Sequence, residues 1–226
     1  MEAFVVDLDS SENQIMLKPS TPPFSNQAHQ VSEVAKKIHE LIKNAPYSND
    51  DIVLNRNEIK EAFFNPFKPQ LKNAQVFLSH SHADRNKALE VKDYLESKTK
   101  RKVFIDSLFW DYKDDVLNKL AKYDDISKIE DAFTLILRES LQDMIEKCPY
   151  FVFLQSKNSV SNQGLSRITY SAWIYEELKI AHSISAISES RLIPMMESMQ
   201  VFHDISPFLK SFETITLKKL SQQINS

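Results

Sequence analysis

The sequence predicts an α/β fold: a central parallel sheet flanked by helices, preceded by a small helical N-terminal extension. Three observations lead there. The runs at 75–79 (Gln-Val-Phe-Leu-Ser), 102–106 (Lys-Val-Phe-Ile-Asp) and 150–155 (Tyr-Phe-Val-Phe-Leu-Gln) are short and apolar on both faces, as strands covered by helices on two sides are. Stretches of helical period stand between them. The pattern changes character near residue 70, where Pro66 and Pro69 break the chain.

Taken in order, residues 1–26 are polar, carry Pro19, Pro22 and Pro23, and read as an irregular arm. From 27 to 44, Val31, Val34, Ala35, Ile38, Leu41 and Ile42 recur at amphipathic helical spacing. This stripe packs either on its own domain or in an oligomer interface. A short helix follows at 57–64, capped by Asn55 or Asn57. The expected division is therefore an arm and helical extension over 1–70 and an α/β domain over 71–226. Within the latter, helices are expected at 83–97, 114–121, 129–147 and 170–184, and weaker strands at 191–195 and 214–217.

The composition excludes several classes of function. With 226 residues and a net charge of -3, the chain has no electrostatic footprint for nucleic acid or an anionic membrane. The run Lys98, Lys100, Arg101, Lys102 reads as a solvated turn before a strand. A single cysteine, Cys148, rules out a disulfide framework, and its place at the entry of an apolar run marks a buried thiol. No apolar run has the length of a membrane span. Residues 1–10 lack the basic segment of a secretory signal, so a cytoplasmic location is expected. The single glycine, Gly164, excludes Gly-rich dinucleotide and Walker loops and a G-x-S-x-G nucleophile elbow.

In a parallel sheet, ligands bind beyond the carboxyl ends of the strands. This singles out Ser79, His80, Ser81 and His82 after the first strand, Asp106 after the second and Ser156 after the third. Ser79 and Ser81 serve either as hydrogen-bond donors to a ligand or as helix caps. Asp84 suits the first helical turn on dipole grounds alone. Asp106 is either a ligand contact or a strand-end salt bridge. His80 and His82 stand close together without an evident third ligand, so no metal site is expected. Trp110 and Trp173 are either pocket walls or core residues. Glu176 and Glu177 lie three and four residues beyond Trp173, so either shares its helix face; the alternative for Glu177 is a solvated helix position.

Four motifs in order resemble TIR (Toll/interleukin-1 receptor-like) domains of bacteria. Val76-Phe77-Leu78-Ser79-His80-Ser81-His82-Ala83-Asp84 resembles the first box of that family. Val103-Phe104-Ile105-Asp106-Ser107 followed by Trp110 resembles its second strand. Phe151-Val152-Phe153-Leu154 with Ser156, Asn158 and Ser159 resembles a later strand and its serine-rich loop. Trp173-Ile174-Tyr175-Glu176-Glu177 resembles the Trp-x-x-x-Glu helix, and Ile193-Pro194 fits the strand that follows. The resemblance spans roughly residues 74–217. The long stretch 111–148 and the lack of an Arg-Asp-x-x-Pro-Gly loop point to the bacterial, enzymatic branch of that family.

The resemblance implies a flavodoxin-like sheet and cleavage of the nicotinamide–ribose bond of NAD, which is a substrate here and not a cofactor. It implies Glu177 as the catalytic carboxylate in preference to Glu176. Ser79, His80, Ser81, His82, Asp106, Trp110, Ser156 and Trp173 would line the substrate site. The products would be nicotinamide and a linear, cyclic or conjugated ADP-ribose signal, read by a separate effector in bacterial antiviral immunity. Self-association through the TIR domain belongs to the same expectation. The alternative is a non-catalytic interaction module.

Overall fold

The computed structural model describes residues 1–19, 28–45, 47–48, 51–52, 54–65, 72–125, 127, 130–163, 166–185 and 202–225. The chain forms two compact units: Met1–Thr21, Asn73–Ser107 and Leu141–Ser226 make one, and Pro22–Lys72 with Leu108–Ser140 make the other. In chain order the elements begin with β1 (Glu2–Asp7), α1 (Ser11–Gln14), α2 (Ala28–Lys43), β2 (Tyr47–Ser48), β3 (Asp51–Ile52) and α3 (Arg56–Phe64). Next come β4 (Ala74–Ser79), α4 (Arg85–Thr99), β5 (Lys102–Ile105), α5 (Ser107–Leu120), α6 (Glu130–Lys147) and β6 (Tyr150–Gln155). The last are β7 (Ser161–Gln163), β8 (Ser166–Thr169), α7 (Ala172–Ser185), β9 (His203–Asp204), α8 (Ser206–Ser211), β10 (Glu213–Thr214) and α9 (Leu217–Asn225).

The first unit is built on a five-stranded sheet ordered β10-β1-β6-β4-β5, with every pairing parallel. β4, β5 and β6 are buried over most of their length and β1 at Phe4–Val6, which explains their apolar sequences. Phe104, Phe77 and Phe151 are register partners on three adjacent strands. Their rings lie 5.8 Å apart at both steps, and the Phe77–Phe151 pair is stacked at 8°. This aromatic ladder helps to fix the register of the three strands.

β1 is the main departure from expectation. The irregular arm predicted over 1–26 contains a strand of the sheet, and Glu2–Asp7 pairs residue for residue with Tyr150–Gln155. Phe4, Val5, Val6 and Leu8 are all core residues. If β4, β5 and β6 are counted as the first three strands, the order is second, first, third, then β1, then β10. This is the flavodoxin-like arrangement, with its fourth place held by the chain's N-terminal strand. Asn13 locks this strand in place: its Nδ2 donates to Asp7 O at 2.7 Å and its Oδ1 accepts from Leu217 N at 2.9 Å. The predicted strand at 191–195 lies outside the described residues. Of the strand expected at 214–217 only Thr214 pairs, as the second residue of the two-residue β10, before α9 begins at Leu217.

α4 shows how the chain turns without glycine. It ends with Lys100 in the left-handed region (φ 57°), whose N–H donates to Glu96 O at 3.1 Å. Lys92 Nζ and Val103 N both donate to Glu96 Oε1, at 2.6 and 3.0 Å, which ties the helix to β5. The small antiparallel sheet β7-β8-β9 is not legible in the sequence. Cys148 is buried as expected, and burial pushes its thiol up to about 12.

In the second unit α2 runs as predicted, with Val34, Ala35, Ile38 and Ile42 buried within the chain. That favours intramolecular packing of the stripe over an oligomer interface; the Val31 side chain lies outside the described residues. α3 is capped by Asn55, whose Oδ1 accepts from Asn57 N and Glu58 N. Phe63 meets Phe133 edge-on at 5.7 Å. His39 Nδ1 lies 2.9 Å from Asp124 Oδ2. α5 starts at Ser107, well before the predicted 114. The expected division at residue 70 coincides with only one cut. Residues 1–21 belong with the sheet because β1 is paired on both sides, and 108–140 belong with the helical unit.

Candidate functional site

The candidate site lies at the carboxyl ends of β4, β5 and β6, all within the first unit. The chain leaves β4 toward β5 on one side and then returns to β6 on the other. The strand order thus reverses around β4, which is where such sheets open a crevice.

Each strand delivers one polar cluster. β4 ends at Ser79, which is fully buried, and the next residue, His80, is buried as well. Ser81 is extended (φ -72°, ψ 139°), and its carbonyl accepts from Asp84 N at 2.8 Å, closing a turn over His82–Asp84. β5 ends at Ile105, leaving Asp106 buried at the strand tip. β6 delivers Ser156 and a tight turn in which Ser159 Oγ accepts from Ser156 N at 2.8 Å.

α7 supplies the remaining carboxylate. Ser171 starts the helix, its Oγ accepting from Ile174 N at 3.2 Å. Trp173 is half-buried in the first turn, and Glu177, one turn further, has no exposed surface. A solvated position for Glu177 is therefore excluded. Glu176 is also buried, so burial alone does not separate the two.

His80, Asp106 and Glu177 form one cluster. His80 Nδ1 lies 2.7 Å from Asp106 Oδ1, and the two side chains are 0% and 6% exposed. Apart from His80 Nδ1, which meets Asp106, both oxygens of Glu177, the Ser79 hydroxyl and His80 Nε2 are buried without a hydrogen-bond partner of good geometry. Buried polar atoms are normally satisfied, so this concentration of unsatisfied ones marks a built site. Burial, and then the charge of Asp106, hold the Glu177 carboxyl well above its ordinary value of 4.5, against a lowering influence from Ser79. For His80, burial acts to lower its basicity, but Asp106 and then Asp84 outweigh it, and the net direction is upward from 6.5. Buried together, the imidazole is favoured as a cation and the glutamate as a neutral acid.

Ser156 takes a different part from the one expected. It is buried and donates its hydroxyl to Asp84 Oδ2, while Asn158 Nδ2 donates to Asp84 Oδ1 at 2.8 Å. On the other flank Lys157 N donates to Asp9 Oδ2 at 2.9 Å. Aspartates following β1 and β4 thus fasten the turn after β6 from both sides. Ser156 is a strut of this turn, and Asp84, which the sequence marks only as a helix-turn acid, is its anchor. Ser81 caps the turn through its backbone and not its side chain, and His82 is exposed. Trp110 lies in α5, with its side chain outside the described residues. Among the described residues no group of three or more His, Cys, Asp or Glu is arranged to hold a metal ion, and no helix is long and apolar enough to cross a membrane.

Fold and site together define a class: a flavodoxin-like parallel α/β protein carrying a sealed His-Asp-Glu cluster at the switch point of its sheet. Comparison with family models, curated proteins and solved structures finds no match to this chain.

Proposed function

We propose that the protein is a TIR-like enzyme that cleaves the nicotinamide–ribose bond of NAD, with Glu177 as the catalytic carboxylate. The observation that supports it is the position of Glu177 beside Asp106 and Ser79 at the tips of β4 and β5. The resemblance of four sequence motifs to TIR domains adds to it.

The chemistry asks little of the protein. Nicotinamide leaves as a neutral molecule from a cationic glycoside, so no strong acid is needed. What needs stabilising is a ribosyl oxocarbenium-like cation, which an anionic carboxylate stabilises. A carboxyl held neutral in the closed site becomes anionic when a positive charge arrives beside it. The pyridinium of NAD brings that charge, so the substrate itself prepares the glutamate. On this reading Trp173, one turn earlier on α7, walls the substrate site and Ser79 donates to the bound nucleotide.

On this reading the product is an ADP-ribose derivative, made in the cytoplasm and read by a separate effector in antiviral defence, with self-association of the domain aiding catalysis. The test is incubation of the purified chain with NAD, with products resolved by mass spectrometry. Wild type releases nicotinamide, and Glu177→Ala lowers the rate by about 10²-fold or more, whereas Glu176→Ala retains activity. The reverse pattern moves the reaction to Glu176. The complete burial of Glu177 favours a second reading, a non-catalytic interaction module. Absence of nicotinamide release at stoichiometric enzyme, with partner binding unaffected by Glu177→Ala, selects it.

A further inference from the structure

We propose that His80, Asp106 and Glu177 work as one proton-sharing unit in which His80 is a positioning residue: its imidazolium balances Asp106 and so sets when Glu177 ionises. The link to catalysis rests on the reading of Glu177 as the reacting carboxylate; the proton-sharing itself does not.

The three groups come from three elements, the ends of β4 and β5 and the second turn of α7, and converge in a volume that solvent does not reach. His80 and Asp106 are in ion-pair contact at 2.7 Å. Asp106 also acts on Glu177 directly, so it stands electrostatically between the other two. Two carboxylates buried in one cluster do not both ionise unless a cation accompanies them. The groups acting on the cluster are Ser79 and His80 after β4, Asp84 from the turn before α4, Asp106 after β5 and Glu177 on α7, with Glu176 buried next to Glu177 on the same helix. His80 is the one among these that can carry a positive charge. Asp84, bound to Ser156 and Asn158, favours that charge from the other side.

Interacting sites of this kind titrate as a set, each group reporting the other's transition. With His80 cationic, the Asp106 charge is balanced and Glu177 can lose its proton. With His80 uncharged, the Asp106 carboxylate stands unopposed and Glu177 keeps its proton to higher pH.

The experiment is an NMR titration of the full-length protein with carboxyl-¹³C glutamate and ring-¹⁵N histidine, the Glu177 resonance being assigned by its loss in Glu177→Gln. In wild type, the Glu177 signal shows an inflection at the midpoint of the His80 transition. In His80→Gln the Glu177 titration moves to higher pH, and in Asp106→Asn to lower pH. The rising limb of the pH–rate profile for NAD cleavage moves in the same directions. A purely structural role for His80 predicts loss of activity at every pH with no displacement of that limb. The proposal is overturned if wild-type Glu177 titrates in one step with no inflection at the His80 midpoint, an observation that requires neither the His80 nor the Asp106 variant to fold. It is also overturned if His80→Gln leaves the Glu177 transition in place or moves it to lower pH. If wild type shows no NAD cleavage while the NMR transitions behave as described, the enzymatic reading fails and the proton unit stands. Glu177-dependent cleavage with independent titrations does the opposite: the enzyme stands and the proton unit falls.

Discussion

The Ser156 hydroxyl donates to the Asp84 carboxylate from 72 residues away in the chain, and with Asn158 on its other oxygen Asp84 is a buried acid whose oxygens are both engaged. Asp84→Ala strands two buried or half-buried donors and is expected to lower stability by about 3 kcal/mol. Asp84→Asn keeps one acceptor and is expected to cost less. Urea titration of the two variants against wild type checks the order; equal, small losses would mean that water replaces the carboxylate freely.

The charge state of Glu177 makes stability depend on pH in a defined direction. Its folded proton affinity is raised above the ordinary value of 4.5, so the folded protein retains a proton that the unfolded chain releases. The associated stabilisation is fully present below 4.5 and is lost as pH rises toward and through the folded value. His80, also raised, from 6.5, adds a second loss as pH rises above that value. Glu177→Gln, which stays neutral, is therefore expected to be more stable than wild type above pH 4.5, by a margin that grows with pH until the folded carboxyl has ionised. Denaturation midpoints measured from pH 5 to 9 decide it, and a margin that shrinks with rising pH refutes it.

The N-terminal strand is expected to be indispensable. Phe4 is 1% exposed in the middle of the sheet unit, and Phe4→Ala should cost about 3–5 kcal/mol. Asn13→Ala leaves the buried Leu217 N–H without its acceptor and should cost about 1–3 kcal/mol. Deletion of residues 1–9 exposes one edge each of β6 and β10 and should prevent folding of the sheet unit. A deletion variant with native circular dichroism and an unchanged melting temperature would contradict the pairing of β1.

This strand is hidden in the sequence for a physical reason. β4, β5 and β6 are legible because burial on two faces makes their sequences apolar throughout. β1 has the same core, Phe4-Val5-Val6, but it is flanked by Glu2, Asp7 and Asp9, and local composition favours a solvated arm. Its partners are β6 and β10, well over a hundred residues on, and periodicity carries no signal of so distant a pairing. The site divides in the same way. Ser79, His80, Asp106 and Glu177 are legible because strand ends and a motif helix point to them. Asp84 and Asn13 act through bonds across long chain separations, and the short strands β7, β8 and β9 give too few residues for a period to show.

A chain with so little glycine must turn its helix ends with other residues. Helix α4 ends with Lys100 at φ 57°, a conformation that costs a residue bearing a Cβ about 1–2 kcal/mol and that glycine adopts freely. The Lys100 side chain is exposed, so removing it sacrifices little packing. Lys100→Gly is expected to stabilise the protein by about 0.5–1 kcal/mol, the relief being partly offset by the greater freedom of glycine in the unfolded chain. Lys100→Ala keeps the Cβ and is expected to change little, so the difference between the two variants isolates the backbone effect from the loss of charge. Thermal melts of the three proteins side by side check this, and equal melting temperatures for the glycine and alanine variants would show that the backbone at this position is unstrained.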